Sequence, residues 1–152
     1  LVERIGKLVA KYGFAPTDLE IELTESAVMA NPQNVSGIFA RLRQLGVSIA
    51  VDDFGTGYSS LAYLRRLPID ILKIDRSFVR DADRNEEDAQ IVKTILALGQ
   101  ALKLQVVAEG IETGRQADLL RALGCDSAQG YFFSRPLPAQ EIEAWLATNC
   151  RP

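Results

Sequence analysis

The sequence predicts an α/β fold built as a parallel (β/α)₈ barrel of the TIM type. Short apolar runs alternate with stretches of helical period, as repeated βαβ units joined by right-handed crossovers require. A doubly wound sheet usually carries a glycine-rich phosphate loop after an early strand, and Gly55-Thr-Gly57 is too short a match. The third observation is where the polar residues fall. Glu22, Asp52 with Asp53, Lys73 with Asp75, Glu109 and Gln129 each stand at or near the C-terminal end of a different apolar run. In a barrel those ends converge on one mouth, where active sites are assembled from several strands at once. Five such runs are visible where the fold needs eight, and 152 residues fall short of the ~250 typical of it. The expectation is a single domain over 1–152 holding the last five βα units, with three units preceding Leu1.

Taken in order, residues 1–12 place Leu1, Ile5, Leu8, Val9 and Tyr12 on one helical face, and Gly13 is a stop signal. Residues 19–24 alternate as a strand does. Asn31-Pro32 reads as a cap followed by proline at the first helical position, and Val35, Ile38, Phe39, Leu42 and Leu45 keep a 3.6 period as far as Gly46. Strands follow at 47–51 and 69–74. A helix over 86–102 carries Ile91, Ile95, Leu98 and Leu102 on its inner face, and a fourth strand covers 104–108. Thr113 caps a helix that ends at Gly124, a short fifth strand covers 126–129, and 138–147 closes the chain as a helix with Ile142, Trp145 and Leu146 inward.

Composition narrows the chemistry. The chain is 47% hydrophobic and 24% charged, the make-up of a domain with a real core. Seventeen lysines and arginines against 20 acids leave a net charge of -3, so neither nucleic-acid polymers nor an anionic membrane surface are expected partners, and an anionic substrate needs a cation. There is no histidine, which removes histidine bases, serine-histidine triads and the usual zinc sites together. Chemistry here must run on carboxylates and lysine. Cys125 and Cys150 read as buried or unpaired thiols, which implies a reducing, cytoplasmic setting. No apolar run approaches the ~20 residues that span a bilayer, and the start has neither a signal-peptide core nor an initiator methionine.

A carboxylate at one strand end is ordinarily a turn former or helix cap. Repetition changes that reading, because four or more acids gathered in one cavity repel each other without cations to offset them. Oxygen-only ligands suit magnesium or manganese rather than zinc. Two such ions can clamp a phosphodiester, acidify a water and stabilise the leaving oxygen.

Val51-Asp-Asp-Phe-Gly-Thr-Gly-Tyr-Ser-Ser-Leu61 resembles the DDFGTGYSSL segment of EAL domains, the bacterial barrels that hydrolyse cyclic di-GMP. Glu22-Leu-Thr-Glu25, Leu72-Lys-Ile-Asp75, Val107-Ala-Glu-Gly-Ile-Glu112 and Gln129-Gly-Tyr-Phe-Phe-Ser-Arg-Pro136 are similar to the remaining family motifs, in the family's order and over nearly the whole chain. The resemblance implies roles position by position. Glu22, Asp52 and Asp53 are similar to metal ligands, with Asp52 bridging two ions. Lys73 resembles the residue that orients the attacking water, and Glu109 resembles the general base. Asp75, Glu112 and Gln129 are similar to positions that hydrogen-bond the water, the lysine or the substrate, or they only support the reacting groups from behind. Glu25 resembles the anchor of the loop from Phe54 to about Leu64. Arg135 meets either a phosphate or guanine edge, or an exposed salt bridge. Tyr131, Phe132, Phe133 and Pro136 read as core or barrel-rim residues.

The chain also departs from the family. Its name triplet, glutamate-alanine-leucine, is absent, and with it a metal ligand and the arginine that follows; a ligand asparagine also lies upstream of Leu1 in the family order. The implied whole is a Mg²⁺- or Mn²⁺-dependent phosphodiesterase holding two ions, which opens cyclic di-GMP to linear pGpG. This piece alone is expected to be inactive. It is expected to pair with another copy or with a chain supplying the missing strands. A cyclic di-GMP sensor, or a truncated barrel that serves as an interaction protein, are the alternative readings.

Overall fold

Five parallel strands form one sheet in the order of the sequence: β1 (Glu20–Thr24), β2 (Ser48–Phe54), β3 (Ile71–Ile74), β4 (Gln105–Ala108) and β5 (Ser127–Ala128). The structure, a computed structural model, describes residues 1–57 and 61–149, without the side chains of 32–34. Tyr58, Ser59, Ser60 and Cys150 therefore lie outside the described residues. Strand order decides between the two architectures. A doubly wound sheet reverses direction at a switch point, whereas here every crossover steps the same way, which puts the crossover helices on one face and leaves the other free to line a barrel.

The helices are α1 (Val2–Tyr12), α2 (Glu25–Ala30), α3 (Pro32–Gln44), α4 (Leu61–Leu64), α5 (Arg76–Arg80), α6 (Glu86–Leu102), α7 (Gly114–Ala122) and α8 (Ala139–Asn149). Short α2, α4 and α5, and a 3₁₀ turn at Pro16–Asp18, lie outside the sequence expectation because four to six residues are too few to establish a period. Gly13 ends α1 as its C-cap, and the Thr113 hydroxyl caps α7 by accepting from Gln116 N. The core is the helix-facing side of the sheet: Ile49, Val51, Leu72, Ile74, Val106 and Ala108 pack with Phe39, Leu42, Val28, Leu64, Val92, Ile95, Ile111 and Leu120. Each fully buried leucine or isoleucine there contributes about 2 kcal/mol.

Several side chains expected inside are not. Leu1, Leu8 and Tyr12 of the first segment, Ile38, Leu45 and Ile91 are exposed, because a helix rests only a narrow stripe on its neighbour and the flank of a wider apolar stripe stays in water. In α6 the buried positions are Ala89, Val92, Ile95 and Gly99. Ile142 and Leu146 of α8 are also exposed, since no described element covers that helix.

Not every strand-end carboxylate belongs to a site. Asp70 and Asp126 stand at the N-terminal ends of β3 and β5. Asp70 Oδ2 accepts from Ile49 N at 3.0 Å and Asp126 Oδ2 accepts from Val106 N at 2.8 Å, so each satisfies the donor at the start of the neighbouring strand. Arg43 pairs with Asp70 at 3.0 Å. This end of the sheet is stitched; the candidate site lies at the other end.

Candidate active site

Register builds the site. Glu22 pairs with Ala50, Ala50 with Ile71, Ile71 with Gln105, and Val107 with Ser127. Residues paired in register share a face, and each face repeats every two residues. One face therefore carries Glu20, Glu22, Ala50, Asp52, Ile71, Lys73, Gln105, Val107 and Ser127, and the continuing backbone adds Asp75, Glu109 and Gln129. Glu109 N donates to Ile74 O at 3.2 Å and Gln129 N donates to Ala108 O at 2.9 Å, so both lie one step past the ends of their strands.

Asp53 would point the other way in a regular strand. Pairing shifts between Val51 and Phe54, so β2 holds one more residue than β3 does opposite, and Asp53 takes φ 53°. A bulge of this kind turns a strand locally and re-aims a side chain. Its effect is that two consecutive aspartates serve one neighbourhood: Asp53 N donates to Asp52 Oδ1 at 2.9 Å. Burial, then the charges of Asp52 and Asp75, push the Asp53 carboxyl above its ordinary value.

Lys73 is the hub. It is 4% exposed, and its Nζ lies 2.6 Å from Glu22 Oε1, 2.6 Å from Glu109 Oε1 and 3.8 Å from Asp52 Oδ1. Burial pulls its pKa down, but hydrogen bonds to Glu109 and Glu22 outweigh that, and the net shift is upward. The ammonium stays charged. Glu109 is pushed up by burial, pulled down by Lys73, and pushed up again by Asp52 and Glu22, with a net rise. Gln129 Nε2 donates to Glu109 Oε1 at 3.2 Å, which fixes the carboxylate from the next strand.

Asp75 caps α5, accepting from Ser77 N at 2.9 Å and from the Ser77 hydroxyl. Burial works against its ionisation, but the two bonds to Ser77 win and hold its carboxyl below the ordinary value. Glu25 is 1% exposed, and its Oε2 accepts from Gly55 N at 2.9 Å and Gly57 N at 3.2 Å, tying the start of the loop after β2 to α2. Glu112 and Arg135 make no hydrogen bond or ion pair with Lys73 or Glu109. Arg135 is exposed and lies over the Tyr131 ring, 5.0 Å from its centroid. With Gln129, Ile142 and Trp145 these two line a cleft of about 420 Å³ beside β5.

Two neighbours escaped the sequence reading. Glu20 shares the face of Glu22, and burial and then Glu22 push its carboxyl up; the alternation that selected Glu22 pointed equally to it. Gln116 is buried under the turn at 109–113, and its signal was the Thr113-x-x-Gln116 capping pattern.

As a place for a cation the donor set fits in kind, since every candidate is a carboxylate oxygen suited to a hard divalent ion. In number it is incomplete. Among the described residues no three acids or thiols converge as a metal site requires, and Glu22 Oε1 is already bonded to Lys73.

A family model for the EAL domain matches residues 1–136. Over 146 residues the chain is 50% identical to the cyclic di-GMP phosphodiesterase NbdA of Pseudomonas aeruginosa, covering 96% of this chain and 19% of that protein. Among solved structures it is similar to the PaMucR phosphodiesterase in complex with c-di-GMP, at TM-score 0.89 and 44% identity, covering 93% of this chain and 57% of that one. It is also similar to Klebsiella pneumoniae BlrP1 in a manganese and cyclic di-GMP complex, at TM-score 0.82 and 34% identity, over 89% of this chain and 34% of that one. The chain thus spans about a fifth of the length of the curated relative and little more than half of the PaMucR chain. Sequential parallel strands, one face lined with acids around a buried lysine, and these likenesses lead to one conclusion: the chain belongs to the EAL domain family.

Proposed function

We propose that these residues are the last five βα units of a barrel that hydrolyses cyclic di-GMP to linear pGpG. The observation that carries the reading is Lys73, buried and held by carboxylates from three other strands at the C-terminal ends of a parallel sheet. Likeness to NbdA and PaMucR supports the substrate, and likeness to the BlrP1 manganese complex supports a divalent cation, for which Mg²⁺ and Mn²⁺ are equally suited. A pair of bound ions would supply Lewis acidity at the phosphodiester and a water of lowered pKa. Glu22 and Asp52 would hold the first, with Asp52 shared and Asp53 serving the second.

The chain's own residues account for the proton. Glu109, whose carboxyl burial pushes above its ordinary value, takes the proton of the attacking water. Lys73, held charged, orients that water and a phosphate oxygen. Water adds to phosphorus, the bond to one ribose 3′ oxygen breaks, that oxygen gains a proton, and the ring opens with a 5′-phosphate retained. Gln129 steadies Glu109, Asp75 fixes the start of the helix after Lys73 and hydrogen-bonds the water or the lysine, Glu112 and Arg135 face the substrate, and Glu25 anchors the loop beyond Asp53. In a complete barrel Glu109→Gln keeps nucleotide binding and loses hydrolysis by a factor on the order of 10² to 10⁴. Hydrolysis at the parent rate would remove Glu109 from the role of base. Asp52→Asn weakens metal binding, so that hydrolysis by the complete barrel needs a higher concentration of the divalent cation.

The same reading covers association and setting. Each of β1 and β5 is paired on one side only among the described residues, so a second copy or a chain with the remaining strands is the proposed neighbour. The free Cys125 thiol supports a cytoplasmic setting. Among the described residues no helix is long and apolar enough to cross a membrane.

A further inference from the structure

The turn after β4 carries both Glu109 and Glu112, and its backbone is held from three sides. Glu109 N donates to Ile74 O at 3.2 Å, Ile111 N to Gln129 O at 3.1 Å, and Phe132 N to Ile111 O at 2.9 Å. The fourth restraint is a side chain. Gln116 Oε1 accepts from Glu112 N at 2.8 Å and from Thr113 N at 2.9 Å, while Gln116 Nε2 donates to Arg80 O at 2.8 Å. Arg80 is the last residue of α5, the helix that Asp75 caps just beyond Lys73.

We propose that Gln116 is a positioning residue that locks the turn bearing Glu109 and Glu112 to the helix following Lys73 and Asp75, so that the two halves of the candidate site keep one register. This rests on the reading of Glu109 and Lys73 as the reacting pair. A capping-box glutamine reaches back to the N-cap N–H of its own helix. Gln116 is in addition 4% exposed, accepts two backbone donors with one oxygen, and reaches 36 residues back to a different βα unit. A buried amide whose oxygen and nitrogen are both bonded is costly to replace and defines one arrangement. The two elements also touch at Gly110, whose φ is 71° and where a β-carbon would meet the Arg76 side chain. Without a side chain at that point the turn can approach α5 closely enough for the Gln116 bridge to close.

The bridge has separable halves, which makes it testable. Gln116→Glu still accepts from Glu112 N and Thr113 N but, ionised, cannot donate to Arg80 O. Gln116→Met has nearly the same length and makes neither bond. In this chain, amide exchange of Glu112 and Thr113 should quicken at least tenfold in Gln116→Met and stay within about threefold of the parent in Gln116→Glu, with β2 and β3 amides unchanged in both. Uniform acceleration across the sheet, or Glu112 and Thr113 amides as slow in Gln116→Met as in the parent, would overturn the proposal. In the complete barrel both variants should lower kcat at least tenfold with KM within twofold, because Gln116 touches no substrate. Unchanged kcat in Gln116→Met would overturn the positioning role. Absence of hydrolysis in the parent barrel would instead remove the phosphodiesterase reading and leave the exchange result to decide the bridge.

Discussion

Lys73 and Glu109 hold opposite consequences for stability. Lys73 is nearly buried among Glu22, Asp52 and Glu109, so Lys73→Met leaves acids facing one another without a counter-charge. The expected loss is about 3 kcal/mol, the scale for removing one partner of a buried pair, read from urea unfolding at neutral pH. An equal midpoint for parent and variant would mean that solvent already screens the group. Glu109 behaves otherwise. Its folded pKa lies above the ordinary 4.5, so the stability it contributes is present below that value and is lost as pH rises through the folded one. Glu109→Gln mimics the protonated form. The variant should match the parent near about pH 4 and become the more stable of the two as pH climbs toward neutrality. A difference independent of pH would contradict the direction of the shift.

At the scale of elements, the bulge in β2 and the contact between the turns after β4 and β5 place the acids. Asp53 adopts φ 53°, a region that aspartate and asparagine tolerate and alanine does not. At neutral pH Asp53→Asn should keep or slightly raise the melting temperature, since it removes a carboxylate that Asp52 and Asp75 repel, and Asp53→Ala should cost about 1 kcal/mol relative to it. Thermal denaturation of the two side by side checks this; equal losses would place the effect on the carboxylate rather than the backbone. Gly130 presses on the backbone of Ile111, with no room for a β-carbon. Gly130→Ala should therefore destabilise by on the order of 3 kcal/mol and loosen the Gln129 to Glu109 hydrogen bond, seen as exchange broadening of the Gln129 side-chain amide.

For the molecule as a whole, the governing fact is an open sheet with apolar and acidic surface left uncovered. Glu20 and Glu22 are exposed on β1, and Tyr131, Phe132, Phe133, Ile142 and Leu146 are exposed beyond β5. Unpaired strand edges next to apolar surface invite association. This chain alone should scatter light as an oligomer at micromolar concentration and give no metal-dependent turnover of cyclic di-GMP. A monodisperse monomer that turned over substrate would defeat the account of the site, because Glu22 and Asp52 would then suffice for the first ion.

The sequence alone determined the order of strands and helices, because apolar period and capping residues are local properties: the helix over 86–102, the Gly13 stop and the Thr113 cap were all legible in it. It also marked Glu22, Asp52, Lys73 and Glu109, since each ends an apolar run and parallel strands in sequential order bring such ends together. What it could not decide needed contacts between distant segments. Whether Asp53 joins Asp52 depends on a one-residue shift in pairing with β3, and no local pattern distinguishes that from a regular strand. That Asp70 and Asp126 serve backbone donors, while Asp52 stands beside Lys73, depends on which end of the sheet each occupies. Gln116 looks like a simple cap until Arg80, 36 residues earlier, is folded against it. Which side of an apolar stripe is covered, as at Leu8, Ile91 and Ile142, likewise follows from the neighbour that packs on it, and only tertiary structure supplies the neighbour.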